Sequence, residues 1–396
     1  MELQNSYPLA LSSWDQDEIK AIHKVIESDQ YSMGKFVKEF EKDFANYVNS
    51  KYCIMVNSGS TSNLIAIAAL FFRKENPLKA GDEVIVPAVS WSTTYTPLQQ
   101  YGMKVKFVDI DLDTLNYDLD ALEEAVTDKT KLIVAVNLLG NSNDFNRIEE
   151  IINNRDIILF EDNCESLGAT LNNKKAGTFG LLGSYSTFFS HHMSTMEGGL
   201  ITTDDEELYH IILSLRSHGW TRHLPKENHV TGTKSDNHFE ESFKFVLPGY
   251  NVRPVEMSGA IGIEQLKKVP NFVKVRRDNA EYFQEKFKDS KYFRIQKEIG
   301  DSSWFGFSLI VNEDAPFTRE EIIEFLTKSK VDCRPIVAGN FTKNEVIKYF
   351  DYEIHGSLKN SDIIDTRGFF VGNHHVEMKS AIDLLKTKVE EFIKSR

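Results

Sequence analysis

The chain has 396 residues, 41% of them hydrophobic and 27% charged, and a formal charge of −13. That length exceeds one small core and predicts two domains. The acidic balance, with no Lys/Arg stripe to offset it, argues against nucleic acid as a general partner.

The first thirty residues carry charges throughout, and no apolar run reaches the roughly 18 residues of a membrane span. A cytoplasmic protein with no membrane attachment is expected. Cys53, Cys164 and Cys333 lie far apart. That usage suits a reducing compartment and supplies no zinc framework, so no metal site is expected.

In chain order, WDQDEIKAIHKVIESD and KFVKEFEKDFANYV predict amphipathic helices; Phe36, Val37, Phe40 and Phe44 fall at helical spacing and are expected in a core. From residue 52 a rhythm begins. YCIMVNSGS is a strand with a Gly/Ser turn, and TSNLIAIAALFF is a helix. EVIVPAVS, KVKFVDI, LIVAVNLLG and DIILFED are short runs rich in β-branched residues. Such alternation predicts a mainly parallel sheet with helices on both faces. Ligands bind at the carboxyl ends of such strands, which here deliver NSGS, PAVSW, NLLGN and EDNCES.

After GIEQLKK the pattern changes to a long charged helix, a WFGFSLIV strand, a helix near 319–329, VDCRPIV and a final helix. This predicts a smaller α+β domain, with residues 1–266 forming the large domain, 267–396 the small one, and a hinge near 265–280. The polar stretch 223–242 is expected to be a long loop, serving as a lid or interface segment.

Four motifs bear on chemistry. In NSGSTSN, the backbone N–H groups of Gly59, Ser60 and Thr61 open a helix and suit an anion, although an ordinary Ser-rich cap reads the same way. Asp162, ending the apolar strand in EDNCES, is costly to bury unless it meets a cation such as a protonated pyridine nitrogen. Trp91 could stack on an aromatic ligand or simply pack. In SYSTFFSHHMSTMEGG a strand runs into His191 and His192. Adjacent residues on an extended segment point to opposite faces, so at most one histidine enters a given site, which disfavours a two-histidine metal chelate. Farther on, GYNVRPVEMSGAIGIEQLKK supplies Asn251 and Arg253, and RSHGWTR supplies Arg222. These arginines suit a phosphate, or mere solvation.

Taken together, these motifs resemble the sugar-nucleotide aminotransferase family of fold-type I pyridoxal-phosphate proteins. The resemblance runs from GKFVKEFEKDFANY nearly to the end of the chain. It implies an α/β fold with a mainly parallel seven-stranded sheet flanked by helices, and the smaller C-terminal α+β domain. It also implies that Gly59, Ser60, Thr61 and Ser186 hold the cofactor phosphate. Asp162 would pair with the pyridine nitrogen, Trp91 would stack on the ring, and Glu165 would sit near its O3′. Asn251 and Arg222 would reach the phosphate of the other subunit, so a homodimer is implied.

One departure matters. The family pattern is Ser-x-x-x-x-Lys, with Glu-Gly-Gly beginning six residues after the lysine; six residues before Glu197 stands His191. No lysine occurs between Lys175 and Lys226. Histidine cannot form the lysine's imine, but it can move protons near neutral pH. Pyridoxal or pyridoxamine 5′-phosphate would then be held non-covalently. This resembles the 3-dehydratase branch of the family, and implies GDP-4-keto-6-deoxymannose and L-glutamate as partners. One histidine-bearing relative uses an iron–sulfur cluster, but three scattered cysteines cannot supply the usual four thiolates, so no such cluster is expected.

Overall fold

The computed structural model describes residues 5–396. Two amphipathic helices, α1 (Gln16–Ser28) and α2 (Lys35–Val48), come first. Seven strands follow: β1 (Tyr52–Val56), β2 (Glu83–Pro87), β3 (Lys104–Val108), β4 (Thr130–Val136), β5 (Ile158–Asp162), β6 (Leu182–Ser186) and β7 (Gly199–Thr203). The C-terminal region adds β8 (Phe293–Arg294), β9 (Gly306–Val311), β10 (Tyr352–Ile354) and β11 (Gly368–Gly372).

The main sheet has the order β1-β7-β6-β5-β4-β2-β3-β10. Only β7 runs antiparallel to its neighbours. Seven strands come from residues 52–203, as expected; the short eighth, β10, arrives from the C-terminal region to pair with the outer edge of β3. The strands read as unbroken apolar runs because helices bury both faces. Helix α3 (Gly59–Leu70) is apolar nearly all round, and its residues from Ile65 to Leu70 are all buried, as befits a helix enclosed on every side.

A second core surrounds the three-stranded sheet β8-β9-β11. It contains Phe283, Phe287, Phe307, Val371 and Leu385. Tyr7, from the start of the chain, lies in this core too, its hydroxyl donating to Gly372 O at 2.8 Å. The helix Glu256–Phe287 joins the two regions without a break. The expected division at 266/267 falls inside it. Along this helix the buried side chains pass from the core of α2 (Ile263, Leu266, Val269, Val273) to the second core (Ala280, Phe283, Phe287).

Two local expectations differ from the structure. The stretch 223–242 is not bare loop: Glu227–Asn228 pairs with Gly232–Thr233, and Asn237 caps a short helix, His238–Glu241. The polar sequence hid both because such short elements carry no measurable periodicity. The β6 strand ends at Ser186, before the two histidines, because the chain turns there, with His191 N–H donating to Phe188 O at 2.9 Å.

The eighth strand is tied in by charge. Lys106 on β3 is buried, its Nζ 2.7 Å from Glu83 on β2 and 2.9 Å from Glu353 on β10. Removing one partner of a buried pair leaves the other charged and uncompensated. Lys106→Met should therefore cost about 3 kcal/mol in urea unfolding, and adding Glu83→Leu should recover much of that loss.

Candidate active site

Five strand ends open on one cavity of about 650 Å³. Ser58 to Ser60 come from the β1 turn, Ser90 and Trp91 from beyond β2, and Leu138 from beyond β4. Asp162, Cys164 and Glu165 follow from β5, and Ser186 and His191 from β6. Phe305, Arg334 and Phe370 reach in from the C-terminal region.

The β1 turn combines both readings of NSGSTSN. The Ser58 hydroxyl caps α3 by accepting Thr61 N–H, and Ser58 N–H donates to Thr61 Oγ1. Thr61 Oγ1 also bonds to Asn57 Oδ1 at 2.7 Å, so its side chain serves the turn and does not line the cavity. The N–H groups of Gly59 and Ser60 have no hydrogen-bond partner among the described residues. A Cβ on Gly59 would lie 2.6 Å from Ser186 Cβ, so only glycine lets the turn and the β6 end meet. Two free N–H groups at a helix start, beside the Ser60 and Ser186 hydroxyls, form a cradle suited to a phosphate.

Asp162 is 5% exposed and has no basic partner among the described residues. Its Oδ2 accepts from Asn63 Nδ2 and Thr94 Oγ1, both at 2.8 Å, and its Oδ1 from Cys164 N–H at 3.2 Å. Neutral donors hold this carboxyl group in place and no cation among the described residues pairs with it, which fits a cationic ring nitrogen. Trp91 precedes α4 (Ser92–Gln100) and is 60% exposed at the cavity edge, leaving its ring face open. Glu165 accepts Leu139 N–H at 2.9 Å. Burial pushes its carboxyl up to about 7, the Leu139 bond opposes that, and the charge of Asp162 adds to it.

The two histidines divide as expected, although a turn rather than a pleat separates them. His191 lines the cavity, its ring 5.3 Å from that of Phe305, and its Nδ1 is buried without a partner among the described residues. His192 is buried, with Nε2 3.0 Å from Ser303 O, fastening this loop to the C-terminal region. No lysine lines the cavity among the described residues.

Burial, reinforced by the charge of Arg276, lowers the His191 imidazole to about 4. Arg276 is itself buried and bonds only to carbonyl oxygens, of Trp304, Phe305 and Asn373.

Asn251 and Arg222 lie outside this cavity. Asn251 is exposed and accepts from Arg253 Nε, while the Arg222 guanidinium sits 4.7 Å over the Trp220 ring. Sequence reasoning missed Asn63 and Thr94, which orient Asp162. A lone asparagine entering the otherwise apolar LIAIAAL helix was the available signal for the first.

The chain belongs to the DegT/DnrJ/EryC1/StrS aminotransferase family, whose model matches residues 12–382. It is 63% identical over 382 residues to a GDP-4-keto-6-deoxy-D-mannose 3-dehydratase of Escherichia coli O55:H7, covering 96% of this chain and 98% of that protein. A protein of the same name from Yersinia pseudotuberculosis is 61% identical, over 95% and 96% of the two chains. A crystal structure of GDP-4-keto-6-deoxymannose-3-dehydratase with a trapped PLP–glutamate geminal diamine superposes with a TM-score of 0.96 at 62% identity, over 96% and 99% of the chains. The fold expected from the motifs is therefore the one found.

The buried histidine has a consequence for stability. An unfolded histidine takes its proton near 6.5, whereas folded His191 stays neutral to about 4. Between those values the unfolded chain binds more protons, so stability falls as pH drops. In the cofactor-free protein, the urea midpoint should decline from about pH 6.5 to about pH 4. His191→Asn should make that decline shallower.

Proposed function

We propose that this chain is a pyridoxamine-phosphate- and glutamate-dependent 3-dehydratase. It removes the C3 hydroxyl of GDP-4-keto-6-deoxy-D-mannose, releasing ammonia and 2-oxoglutarate. The observation that carries this reading is His191, at the place where relatives carry a lysine, in a cavity that no lysine lines.

The residues fit the cofactor: an uncompensated carboxylate, an anion cradle, an open indole face and an orphaned imidazole nitrogen surround one space. When bound, the cofactor supplies an amine for the C4 ketone and a ring that accepts electrons. The Gly59 and Ser60 N–H groups and the Ser186 hydroxyl hold its phosphate. Trp91 covers the ring, and Glu165 orients its O3′. Asp162 keeps a proton on the ring nitrogen.

His191 moves protons. Its imidazole, neutral through the physiological range, takes a proton at the cofactor's C4′ and returns one to the departing C3 hydroxyl. Lacking a primary amine, it cannot displace the product and so favours elimination over amino transfer. Arg334, the one arginine lining the cavity among the described residues, pairs with a glutamate carboxylate.

Asn251 and Arg222 lie outside their own cavity and act on that of a second copy, so the working unit is a homodimer. Within each copy, residues 1–266 form the cofactor-binding domain and 267–396 the smaller one. No helix among the described residues is long and apolar enough to cross a membrane. The cytoplasm, where nucleotide-sugar substrates are made, is the proposed location.

The test is to incubate the protein with cofactor, L-glutamate and GDP-4-keto-6-deoxymannose, assaying ammonia and the deoxygenated sugar. Both should form in equal amounts. His191→Asn should abolish both, and His191→Lys should abolish dehydration while allowing the cofactor to be trapped covalently by borohydride. An amino-sugar product without ammonia would overturn the reading in favour of a 4-aminotransferase.

A further inference from the structure

A second cavity, of about 960 Å³, lies apart from the one holding His191, between α2 and the segment 216–225. Its rim is basic: Lys35, Lys38 and Lys42 project from α2, and Lys51 lines the same cleft; Arg222, assigned above to the cavity of a second copy, lies at its edge and is not counted among them. None of these four lysines forms an ion pair within 4.0 Å among the described residues. The one carboxylate lining the cleft among the described residues, Glu41, is already taken by Arg216.

Such an arrangement has a cost. Lys35, Lys38 and Lys42 are three and four residues apart on one helix, so their like charges repel. Lys35 also stands in the first turn, where the helix dipole disfavours a cation; the carboxylate that offsets that end, Glu256, is taken up by the Gly34 and Phe36 N–H groups and forms no ion pair with Lys35. Solvation alone would account for exposed lysines. It does not account for the floor of the cleft.

There Arg216 is only 3% exposed, and its Nε is buried with no hydrogen-bond partner among the described residues. Its Nη1 is occupied by Glu41 and by Met55 O at 2.7 Å. Beside it, His223 Nε2 is likewise buried and unpartnered. Burial first, and then the charges of Arg216, Arg253, Arg222 and Lys38, press His223 down to about 4. An orphaned guanidinium N–H under a ring of unpaired cations is a site lacking its acceptor.

We propose that this cleft binds a phosphate-bearing anion of nucleoside-diphosphate size. Its volume lies within the range of small-molecule sites, and paired phosphates would span from the Arg216 floor to the lysine rim. Two sources share that chemistry: the diphosphate of a nucleotide sugar, or a separate nucleotide or pyrophosphate ligand. The first source rests on the substrate proposed above; the second does not.

The test is calorimetric titration of the cofactor-loaded full chain with pyrophosphate and with GDP at two salt concentrations. Lys38→Glu/Lys42→Glu is compared with wild type and with Lys129→Glu/Lys348→Glu, a charge-matched control away from the cleft. Pyrophosphate and GDP should bind more tightly at low salt. The cleft variant should weaken binding by about tenfold or more, with cofactor affinity unchanged and the control like wild type.

One GDP per chain, weakened in the cleft variant, assigns the cleft to the substrate's own diphosphate. Two per chain, one of them lost, assigns it to a separate nucleotide. Unchanged binding in the cleft variant, an equal loss in the control, or no binding to wild type would overturn the proposal. Loss of turnover with anion binding intact would count against the dehydratase reading alone.

Discussion

A buried carboxylate with no basic partner among the described residues organises the catalytic end of this molecule. Asp162 leaves the sheet at the end of β5 and is gripped by Asn63 of α3, Thr94 of α4 and its own chain at Cys164. Neutral donors fix its direction and no cation among the described residues pairs with it, so it is left to meet whatever occupies the cavity. The same contacts set two helix starts side by side. The Ser60 hydroxyl, 3.0 Å from Thr93 Oγ1, continues that seam toward the rim.

The loop after β6 works by division of labour between neighbours. His192 is spent on structure, holding Ser303 O, and His191 is thereby presented to the cavity against Phe305. Phe305 in turn is held by Arg276, whose guanidinium collects three carbonyl oxygens from the C-terminal region. One buried cation thus braces the backbone behind the imidazole and also disfavours its protonation. Position and protonation state come from the same packing.

Much of this was legible in the sequence, for reasons that differ by residue. The parallel sheet showed in runs such as EVIVP and KLIVAV, because strands covered on both faces need no polar alternation. His191 was found by counting from Glu197, since backbone spacing to a Gly-Gly turn survives a change of side chain. Asn63 and Thr94 were not found, because their roles depend on two helices meeting at a third strand, which no local pattern records. The eighth strand escaped for a related reason. Three exposed residues, Tyr352 to Ile354, carry too short a pattern to betray a partner more than two hundred residues away.

That short strand has a further meaning. Without it, β3 would present a row of open N–H and C=O groups along the margin of a large sheet, the kind of template on which other chains can accrete. By laying Tyr352–Ile354 against this margin, the C-terminal region acts as a selvedge for the sheet. A chain cut short before residue 352 would lose more than its second core: it would bare a sticky hem and invite copies to associate strand to strand.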